Sequence, residues 1–171
     1  MSDKPIFPYG QPEENTGYLL WQVTMGWHLR MNQQLRPVGL TLTQFSLLAG
    51  LYWLSRQGEA VTQQRLANYA TTDKMMTSKV LQTLERKGLV ERHSHPQDGR
   101  AKQLRLTALG ESLLRQAHAV MEQAAARFFG PLQADAGLFN ELVSRLIRIE
   151  GPATALSSFA GARYRTQSWT R

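Results

Sequence analysis

A short stretch just past the middle of the chain, HPQDGRAKQLRLTALG, holds the residues with the most distinctive chemistry. It places Asp98, Gly99 and Arg100 in succession, and Gly99 permits a tight turn between the acid and the base. Asp98 can hold the turn or the Arg100 guanidinium by a charge-assisted hydrogen bond. An arginine presented this way suits the DNA minor groove, where a narrow groove concentrates negative potential. Taken alone, the triplet fits a surface hairpin with an incidental ion pair better, so the surrounding residues must decide.

The charge around this stretch favours a polyanionic partner. The 171-residue chain has 20 Lys and Arg against 13 Asp and Glu, a net charge of +7. Residues 74–105 carry eight cations and three acids and therefore supply +5 of that charge. A local cationic excess indicates nucleic acid, although a solvated helix face also carries charge.

Composition removes several classes of protein. A hydrophobic content of 42% is too high for a disordered chain, and the absence of cysteine excludes disulfides, cysteine metal sites and thiol redox sensing. The amino terminus has no apolar signal core, and the longest apolar run, residues 47–54, is too short to span a bilayer. We expect a soluble cytoplasmic protein without a membrane partner.

The elements before the turn must position it. Periodicity predicts a helix from a cap at Asn15 or Thr16 to about residue 36, and a second helix over residues 43–56. Two short helices follow, the first capped by Thr62 and the second running from a cap at Thr72 or Asp73 to residue 87, with Gly88 as its left-handed stop. Strands then flank the turn at 95–101. This order predicts a winged helix-turn-helix whose second short helix enters the major groove.

The second short helix, called the reading helix below, places its amino-terminal turn in the major groove. Its inner face is predicted to contain Thr77, Val80, Leu81 and Leu84. Arg100 at the wing tip is predicted to enter the minor groove, supported by Asp98 and Gly99. The predicted DNA-binding residues are therefore Lys74, Met75, Met76, Ser78, Lys79, Arg100, Lys102 and Arg105.

Helical periodicity returns at Thr107 and predicts a long helix, followed by a last helix over residues 135–150. Apolar residues recur in the long helix at alternating three- and four-residue steps, which suits packing against a partner helix. This predicted seam consists of Leu109, Leu113, Ala117, Val120, Ala124 and Phe128.

The sequence resembles the MarR family of bacterial transcriptional regulators over about residues 15–150. The resemblance is carried by TTDKMMTSKVLQTLERKGLVER, by DGR as the family's D-x-R wing, by LTALG as its L-T-x-x-G helix entry, and by LTLTQFSLLAGL. It implies a mainly α fold, a winged helix-turn-helix with long flanking dimerisation helices. It also implies a homodimer that binds a pseudo-palindromic operator in double-stranded DNA, usually as a repressor, and that a small aromatic ligand can release.

The resemblance divides the chain into an amino-terminal arm (1–14), dimerisation helices (15–36 and 107–150), a DNA-binding lobe (37–106) and a carboxy-terminal tail (151–171). Two departures stand in the reading helix. Met75 and Met76 replace residues that are often small and hydroxylated in the family, and Thr77 fills a slot that is usually aliphatic. No operator sequence is therefore carried over from the family.

Aromatic residues on the first two predicted helices suggest a ligand cleft where, by resemblance, these helices meet the lobe. Such a cavity suits a phenolic or aromatic acid, with Arg30 or Arg56 meeting a carboxylate. The alternative is that the rings fill the dimer core. The predicted ligand-binding residues are Trp21, Trp27, His28, Met31, Tyr52 and Trp53.

Other functions leave weaker signals. The sequence has no H-E-x-x-H, no G-x-S-x-G, no phosphate-binding glycine loop and no paired carboxylates, so we expect neither an enzyme nor a cofactor. His93 and His95, two apart on a predicted strand, could serve a metal-responsive regulator. Zinc normally needs three or four protein ligands, which favours histidines at the wing base or facing DNA. A winged helix used only for protein contacts is a further alternative.

Overall fold

The computed structural model describes residue 6, residues 9–94 and residues 102–149. These parts of the chain form six α-helices and one antiparallel pair of strands. In chain order the elements are α1 (Thr16–Leu35), α2 (Leu42–Ser55), α3 (Gln63–Tyr69), α4 (Lys74–Arg86), β1 (Val90–Ser94), β2 (Lys102–Leu106), α5 (Ala108–Phe129) and α6 (Ala136–Ile149). The predicted order and the mainly α winged helix-turn-helix are confirmed.

Local capping sets the helix boundaries. Each cap side chain accepts a hydrogen bond from a backbone N–H that the first helical turn leaves unpaired. The caps are Asn15 for α1, Thr41 for α2, Thr62 for α3, Asp73 for α4 and Thr107 for α5. Gly88 follows α4 with a φ of 68°, as predicted for a left-handed stop.

Short 3-10 helices differ from the sequence expectation at two places. Pro12–Glu14 forms one inside the predicted irregular arm, and Gly130–Asp135 forms another between α5 and α6. Both have proline near their start, where its missing N–H costs no hydrogen bond.

The core lies within the lobe and where α1 and α5 meet it. Aliphatic side chains from α2, α3, α4 and β2 are almost completely buried there, together with the carboxyl end of α1. The largest of them are Met31, Leu35, Leu47, Leu48, Leu51, Leu66, Leu81, Leu84 and Leu104.

The strand pair is attached to the helix-turn-helix at its base. β1 and β2 pair with Val90 opposite Leu106, and Ser94 opposite Lys102 is the last described pair toward the tip. The segment before α3 adds a short third strand contact, because Leu104 N–H donates to the Val61 carbonyl at 2.8 Å and Thr62 bridges to Gln103. The wing is therefore fixed to the start of α3 as well as to the end of α4.

The LTALG segment forms a tight joint between the lobe and α5. Thr107 N–H donates to the Leu89 carbonyl at 3.1 Å, and the Thr107 hydroxyl donates to the Gly88 carbonyl at 2.6 Å while accepting from Gly110 N–H at 2.9 Å. A Cβ built on Gly110 would lie 2.0 Å from the Leu89 carbonyl oxygen. Only glycine allows the two backbones to approach this closely.

The flanking helices leave much apolar surface uncovered in the single chain. On α1 only Met31 and Leu35, near its carboxyl end, are buried. Leu138, Leu142 and Leu146 of α6 are all about half exposed. The large apolar residues of α1 that are exposed are Leu19, Leu20, Trp21, Val23, Met25 and Leu29.

The face that α5 buries is adjacent to the predicted seam. It consists of Gly110, Leu114, Ala117, Met121 and Ala124, so it shares only its two alanines with the seam. Leu109, the first seam residue, is exposed. The seam therefore lies at the edge of the intramolecular contact.

No single described helix has the length and apolar character needed to cross a membrane. By length and composition alone, the bent pair Thr16–Val38 and Leu42–Ser55, which meet at 78°, passes the test together.

Candidate nucleic-acid interface

Helix α4 has one buried face and one face open to a partner. Thr77, Leu81 and Leu84 are fully buried, which confirms most of the predicted inner face, and Val80 is half-buried. At 100° per residue, the opposite stripe contains Met75, Lys79, Gln82 and Arg86, and all four are exposed. The stripe spans the whole helix and mixes apolar, cationic and amide side chains.

Gln82 is a candidate contact that the sequence prediction missed. It lies seven residues after Met75, two helical turns along the same stripe. A glutamine amide can form two hydrogen bonds with the edge of an adenine. The signal was present in the spacing, but the prediction considered only the first turn and a half of the helix.

The predicted contacts at the start of α4 are placed by its cap. Asp73 accepts a hydrogen bond from Met76 N–H at 2.8 Å, which fixes the first turn. Met75 is 71% exposed and Met76 is 47% exposed, an unusual amount of apolar surface for a helix end. Lys74 is also exposed, whereas Ser78 is half-buried at the edge of the stripe.

A buried hydroxyl pair connects this first turn to the preceding one. Thr77 is the one buried polar side chain in the part of the chain that the structure describes. Its hydroxyl donates to the Asp73 carbonyl at 2.8 Å and lies 2.8 Å from the Thr72 hydroxyl. Because a hydroxyl has one proton, Thr72 must be the donor to Thr77.

The turn between α3 and α4 is further constrained on both sides. Thr71 has a φ of 50°, a left-handed conformation that is uncommon for a residue other than glycine. Gln63 of α3 donates from its side chain to the Lys74 carbonyl at 3.4 Å. These bonds, with the Thr72–Thr77 pair, set the direction in which α4 leaves the turn.

Four of the seven described cations in residues 74–105 have a partner within the lobe. Arg92 of β1 forms an ion pair with Glu85 of α4, which attaches the wing to the reading helix. The Lys87 ammonium donates to the Gly39 carbonyl at 2.7 Å, and Arg86 donates to the Thr83 hydroxyl at 3.2 Å. Part of the cationic excess predicted from the sequence therefore braces the lobe.

Lys74, Lys79, Lys102 and Arg105 are also exposed. None of them forms an ion pair with an acidic side chain in the described residues. Alternation along β2 puts Lys102 and Arg105 on opposite faces of the strand pair, so they flank it instead of forming one cluster. Arg105 also donates to the Gln103 side chain at 3.3 Å.

The tip of the wing lies outside the described residues. Asp98, Gly99 and Arg100, the predicted wing support and minor-groove residue, all belong to it, as does His95. The described histidine of the pair, His93, lies 3.0 Å from the Glu91 carboxylate. Among described residues, no group of three or more histidine or acidic side chains is placed to hold a metal ion.

The predicted ligand-binding aromatics pack with different partners. Trp21 lies against Tyr18 with ring centroids 6.0 Å apart. Trp27 contacts Phe128 and Phe129 of α5 at 5.3 Å and 5.2 Å. His28 is exposed on the same helix. A ligand site on these residues of α1 stays a prediction.

On α2, the other two predicted aromatics contact each other. Tyr52 and Trp53 have ring centroids 5.9 Å apart in an edge-on arrangement, and Trp53 is half exposed. Arg56, one of the two predicted carboxylate partners, lies over the Tyr52 ring at 5.4 Å and donates to its hydroxyl at 3.3 Å. In this single chain Arg56 is therefore held by Tyr52.

A pocket of about 250 Å³ lies between the carboxyl end of α1 and α5. Its lining includes two apolar side chains, Met31 and Ala124, and two cations, Arg30 and Arg127. Arg30 also lies over the Phe128 ring at 5.4 Å, which holds its guanidinium in place. Of the predicted ligand contacts, Met31 and the carboxylate partner Arg30 line this pocket. The other predicted residues, Trp21, Trp27, His28, Tyr52 and Trp53, are not among its lining residues. Its lining residues are Arg30, Met31, Gln33, Gln34, Ala124 and Arg127.

Comparison with known proteins identifies the architecture. A family model described as MarR family matches residues 40–102, which include α2 to the start of β2. The uncharacterized HTH-type transcriptional regulator YdcH of Bacillus subtilis (strain 168) is 38% identical over 121 residues, covering 71% of this chain and 82% of YdcH.

Solved structures agree over most of the chain. CouR from Rhodococcus jostii RHA1 bound to p-coumaroyl-CoA matches with a TM-score of 0.72 and 27% identity, over 84% of this chain and 97% of CouR. The transcriptional repressor CouR bound to a 23-mer DNA duplex matches with a TM-score of 0.71 and 26% identity, over 85% of this chain and 99% of CouR. With this fold, this reading helix and these relatives, the chain belongs to the MarR family of winged helix-turn-helix transcriptional regulators.

Proposed function

We propose that this protein binds a pseudo-palindromic operator in the cytoplasm as a homodimer and represses transcription until a small anionic ligand releases it. The observation that carries the proposal is the outward stripe of α4. A buried face anchors the helix to the lobe, and the stripe of Met75, Lys79 and Gln82 is left to a partner. The major groove, about 12 Å wide, admits one α-helix in this orientation.

Three residues of the stripe, Met75, Lys79 and Gln82, would each have a different role against DNA. Methionine packs on thymine methyl groups, because its thioether is apolar and adaptable but donates no hydrogen bond. Lys79 suits a phosphate and Gln82 an adenine edge. Lys102 and Arg105 flank the wing, from which Arg100 would enter the minor groove. The operator is therefore expected to prefer thymine beneath the start of α4.

The uncovered helices support the homodimer. Soluble monomers rarely expose contiguous apolar surface of the kind found on α1 and α6. A second copy covers both helices at once through a two-fold axis, since such an interface uses the same patch on each protomer. The same axis would place two α4 helices on successive turns of one face of DNA.

Repression follows from occupancy. A dimer that holds two turns of a promoter competes with the transcription machinery for the same surface. The relative CouR, which is bound to DNA in its structure, is a transcriptional repressor, and this supports the same outcome here.

The pocket between α1 and α5 supports release by a small molecule. Two arginines together with the apolar side chains of Met31 and Ala124 suit a compact molecule with an apolar body and a carboxylate, such as a phenolic or aromatic acid. CouR is bound to p-coumaroyl-CoA in its structure, which also combines an aromatic acyl group with anionic groups. A ligand that prefers one lobe spacing by about 1.4 kcal/mol would change operator affinity about tenfold.

The test is selection of duplexes from random DNA by the full-length protein, followed by a mobility shift across salt concentrations. We expect an inverted repeat, a complex of two chains per duplex, and affinity that falls as salt rises. Gln82→Ala should relax the preference at one base pair in each half-site. The matched control is Arg115→Ala on α5, an exposed residue that is paired with Glu111 and lies on the side of the helix opposite the predicted seam.

Ligand release is tested on the selected duplex with a panel of small aromatic acids. Tryptophan fluorescence and the mobility shift should respond together, and Arg127→Ala should weaken both responses. Failure to select any duplex contradicts the DNA-binding proposal. Selection without any effect of the acids contradicts only release by this ligand class.

A further inference from the structure

We propose that Met75 and Met76 form a reversible oxidation site through which a hypohalous acid switches off DNA binding. The proposal rests on the proposed function, because it requires the start of α4 to contact bases. It assigns these residues a second property: the same exposed thioethers that suit thymine methyls are the sulfur atoms most open to an oxidant.

The exposure of the methionines is selective. Met75 is 71% exposed and Met76 is 47% exposed, whereas Met31 and Met121 are buried. Met25 is the remaining exposed methionine of the described residues. It lies on the apolar surface of α1 that the proposed dimer would cover, so among the described methionines the two on α4 would stay accessible in the free dimer.

The chain offers no thiol to compete for the oxidant, since it contains no cysteine. Oxidants that normally consume thiolates can therefore reach methionine sulfur, the next most readily oxidised side chain. Because DNA would cover the start of α4, the operator-bound protein should be protected and the free protein sensitive.

The reaction is an oxygen-atom transfer that balances without another reagent. Hypochlorous acid transfers its oxygen to the thioether sulfur, and a sulfur–oxygen bond forms as the oxygen–chlorine bond breaks. Sulfur loses two electrons and chlorine gains them, leaving as chloride, while the proton goes to solvent. The product is methionine sulfoxide, which methionine sulfoxide reductases return to methionine.

The product no longer suits the groove. A sulfoxide oxygen is a strong hydrogen-bond acceptor, and a thymine methyl provides no donor for it. Burying this oxygen without a partner costs free energy that the thioether did not cost. We expect affinity for the selected duplex to fall at least about tenfold, equivalent to about 1.4 kcal/mol.

The experiment treats the full-length protein with stoichiometric hypochlorous acid, with and without the duplex it selects from random DNA. Peptide mass spectrometry measures the oxidised fraction of each methionine, and a mobility shift measures affinity. We expect oxidation to concentrate at Met75 and Met76, to be slowed by the duplex, and to lower affinity. Methionine sulfoxide reductases of both stereospecificities should restore binding.

Variants separate this site from general damage. The double variant Met75→Leu and Met76→Leu should keep the same affinity before and after the oxidant, because leucine has no oxidisable sulfur. The matched control, Met25→Leu, should lose affinity on oxidation as the unaltered protein does. Reductase recovery provides the same test on the unaltered protein, should the leucine pair weaken binding before oxidation.

Three results would overturn the proposal. These are unchanged affinity of protein oxidised at both residues, equal loss in the leucine double variant, or no recovery with the reductases. If the untreated protein selects no duplex, the proposed function fails first and the switch fails with it. If it selects a duplex that oxidation leaves bound, only the switch is wrong.

Discussion

The DNA-binding lobe and the helices that flank it differ in how completely one chain can bury them. Between α2 and β2 the lobe forms a continuous, leucine-rich core, and its exposed surface is largely polar apart from the methionines of α4 and Trp53 of α2. Helix α1 buries only its carboxyl end, and the described side chains of α6 include none that is fully buried. One copy therefore suffices to shape the surface that we propose contacts DNA, whereas the apolar scaffold that carries it would be covered only in the proposed dimer.

The joint between the two regions is where the largest effect is expected. Gly110→Ala would place a methyl group 2.0 Å from the Leu89 carbonyl oxygen, and backbone on both sides would have to move. We expect a loss of about 3 kcal/mol or more in the free energy of unfolding, at the upper end for overpacking. Urea denaturation followed by circular dichroism measures it.

Gly137→Ala is the matched control for that variant, since a Cβ at Gly137 meets nothing within 4 Å. Replacing an exposed helical glycine by alanine should leave stability unchanged or raise it by up to about 1 kcal/mol. Equal stability of the two variants would show that the joint tolerates separation, and the lobe and α5 would then be loosely coupled.

A charge on α6 tests whether the scaffold needs a second copy. Leu142 is 48% exposed in the single chain, and Leu142→Glu would bury a carboxylate in the proposed interface. We expect association to weaken by about 2–4 kcal/mol, the range of an interface hot spot, with the helical content of the lobe retained. Light scattering across a dilution series measures the mass.

Ser144→Glu provides the control on the same helix, because Ser144 is exposed about 200° around α6 from Leu142. It should leave the dimer intact. A stable 19.3 kDa monomer for the unaltered protein would contradict the proposed dimer, since the apolar helices would then be soluble without a second copy.

Within the lobe, the buried hydroxyl pair of Thr72 and Thr77 tests whether DNA recognition by α4 depends on a hydrogen bond as well as on apolar packing. Thr77→Val keeps the shape but leaves the Thr72 hydroxyl without its acceptor, so we expect stability to fall by about 1–2 kcal/mol. Thr77→Ser should recover most of the loss. The discriminating measurement is the ratio of affinities for selected and random duplexes, which should fall for valine and recover for serine.

If Thr77→Val instead matches the unaltered protein in both stability and that ratio, the hydroxyl pair does not position α4. A double-mutant cycle with Thr72→Val would then show no coupling between the two hydroxyls.

The smallest effect concerns a single phosphate contact. Lys79→Ala should weaken binding to all duplexes to a similar extent and reduce the slope of log affinity against log salt by about one. Titrations at several salt concentrations measure it. An unchanged slope would place Lys79 away from the phosphates, and only Met75 and Gln82 of the stripe would then be expected to contact DNA.

Local signals were the most readable from the sequence. The cap Thr62 and the stop at Gly88 were predicted at the residues where they occur, and Thr107 was predicted as the start of the helix that it caps. Each of these depends on a side chain and a backbone turn a few residues away. Asp73 was one of two candidates, and the choice against Thr72 is explained by the bond from Thr72 to Thr77. The inner face of α4 was equally clear from its period.

Long-range geometry was less readable. The sequence indicated a seam on α5 for a partner helix, but it did not single out the adjacent face with Gly110, Leu114 and Met121 that packs within the chain. Two adjacent apolar stripes fit the same period, and only tertiary packing decides which of them one chain buries. The close approach at Gly110 leaves no mark in hydrophobicity. Arg92 likewise counted toward the cationic excess, and its ion pair with Glu85 of α4 leaves no mark in the sequence.

Helix α5 carries the joint with the lobe at one end and the pocket at the other, so a small tilt of the helix at the pocket becomes a larger displacement at the joint. Gly110 contacts the lobe, and Arg127 lines the pocket seventeen residues further along, about 25 Å away at 1.5 Å per residue. If the pocket end is held by the scaffold, a tilt of about 5° there moves the joint by about 2 Å. Each lobe of a dimer would move by this amount, so a pocket that rearranges by only a fraction of an ångström can take two reading helices out of register with the grooves.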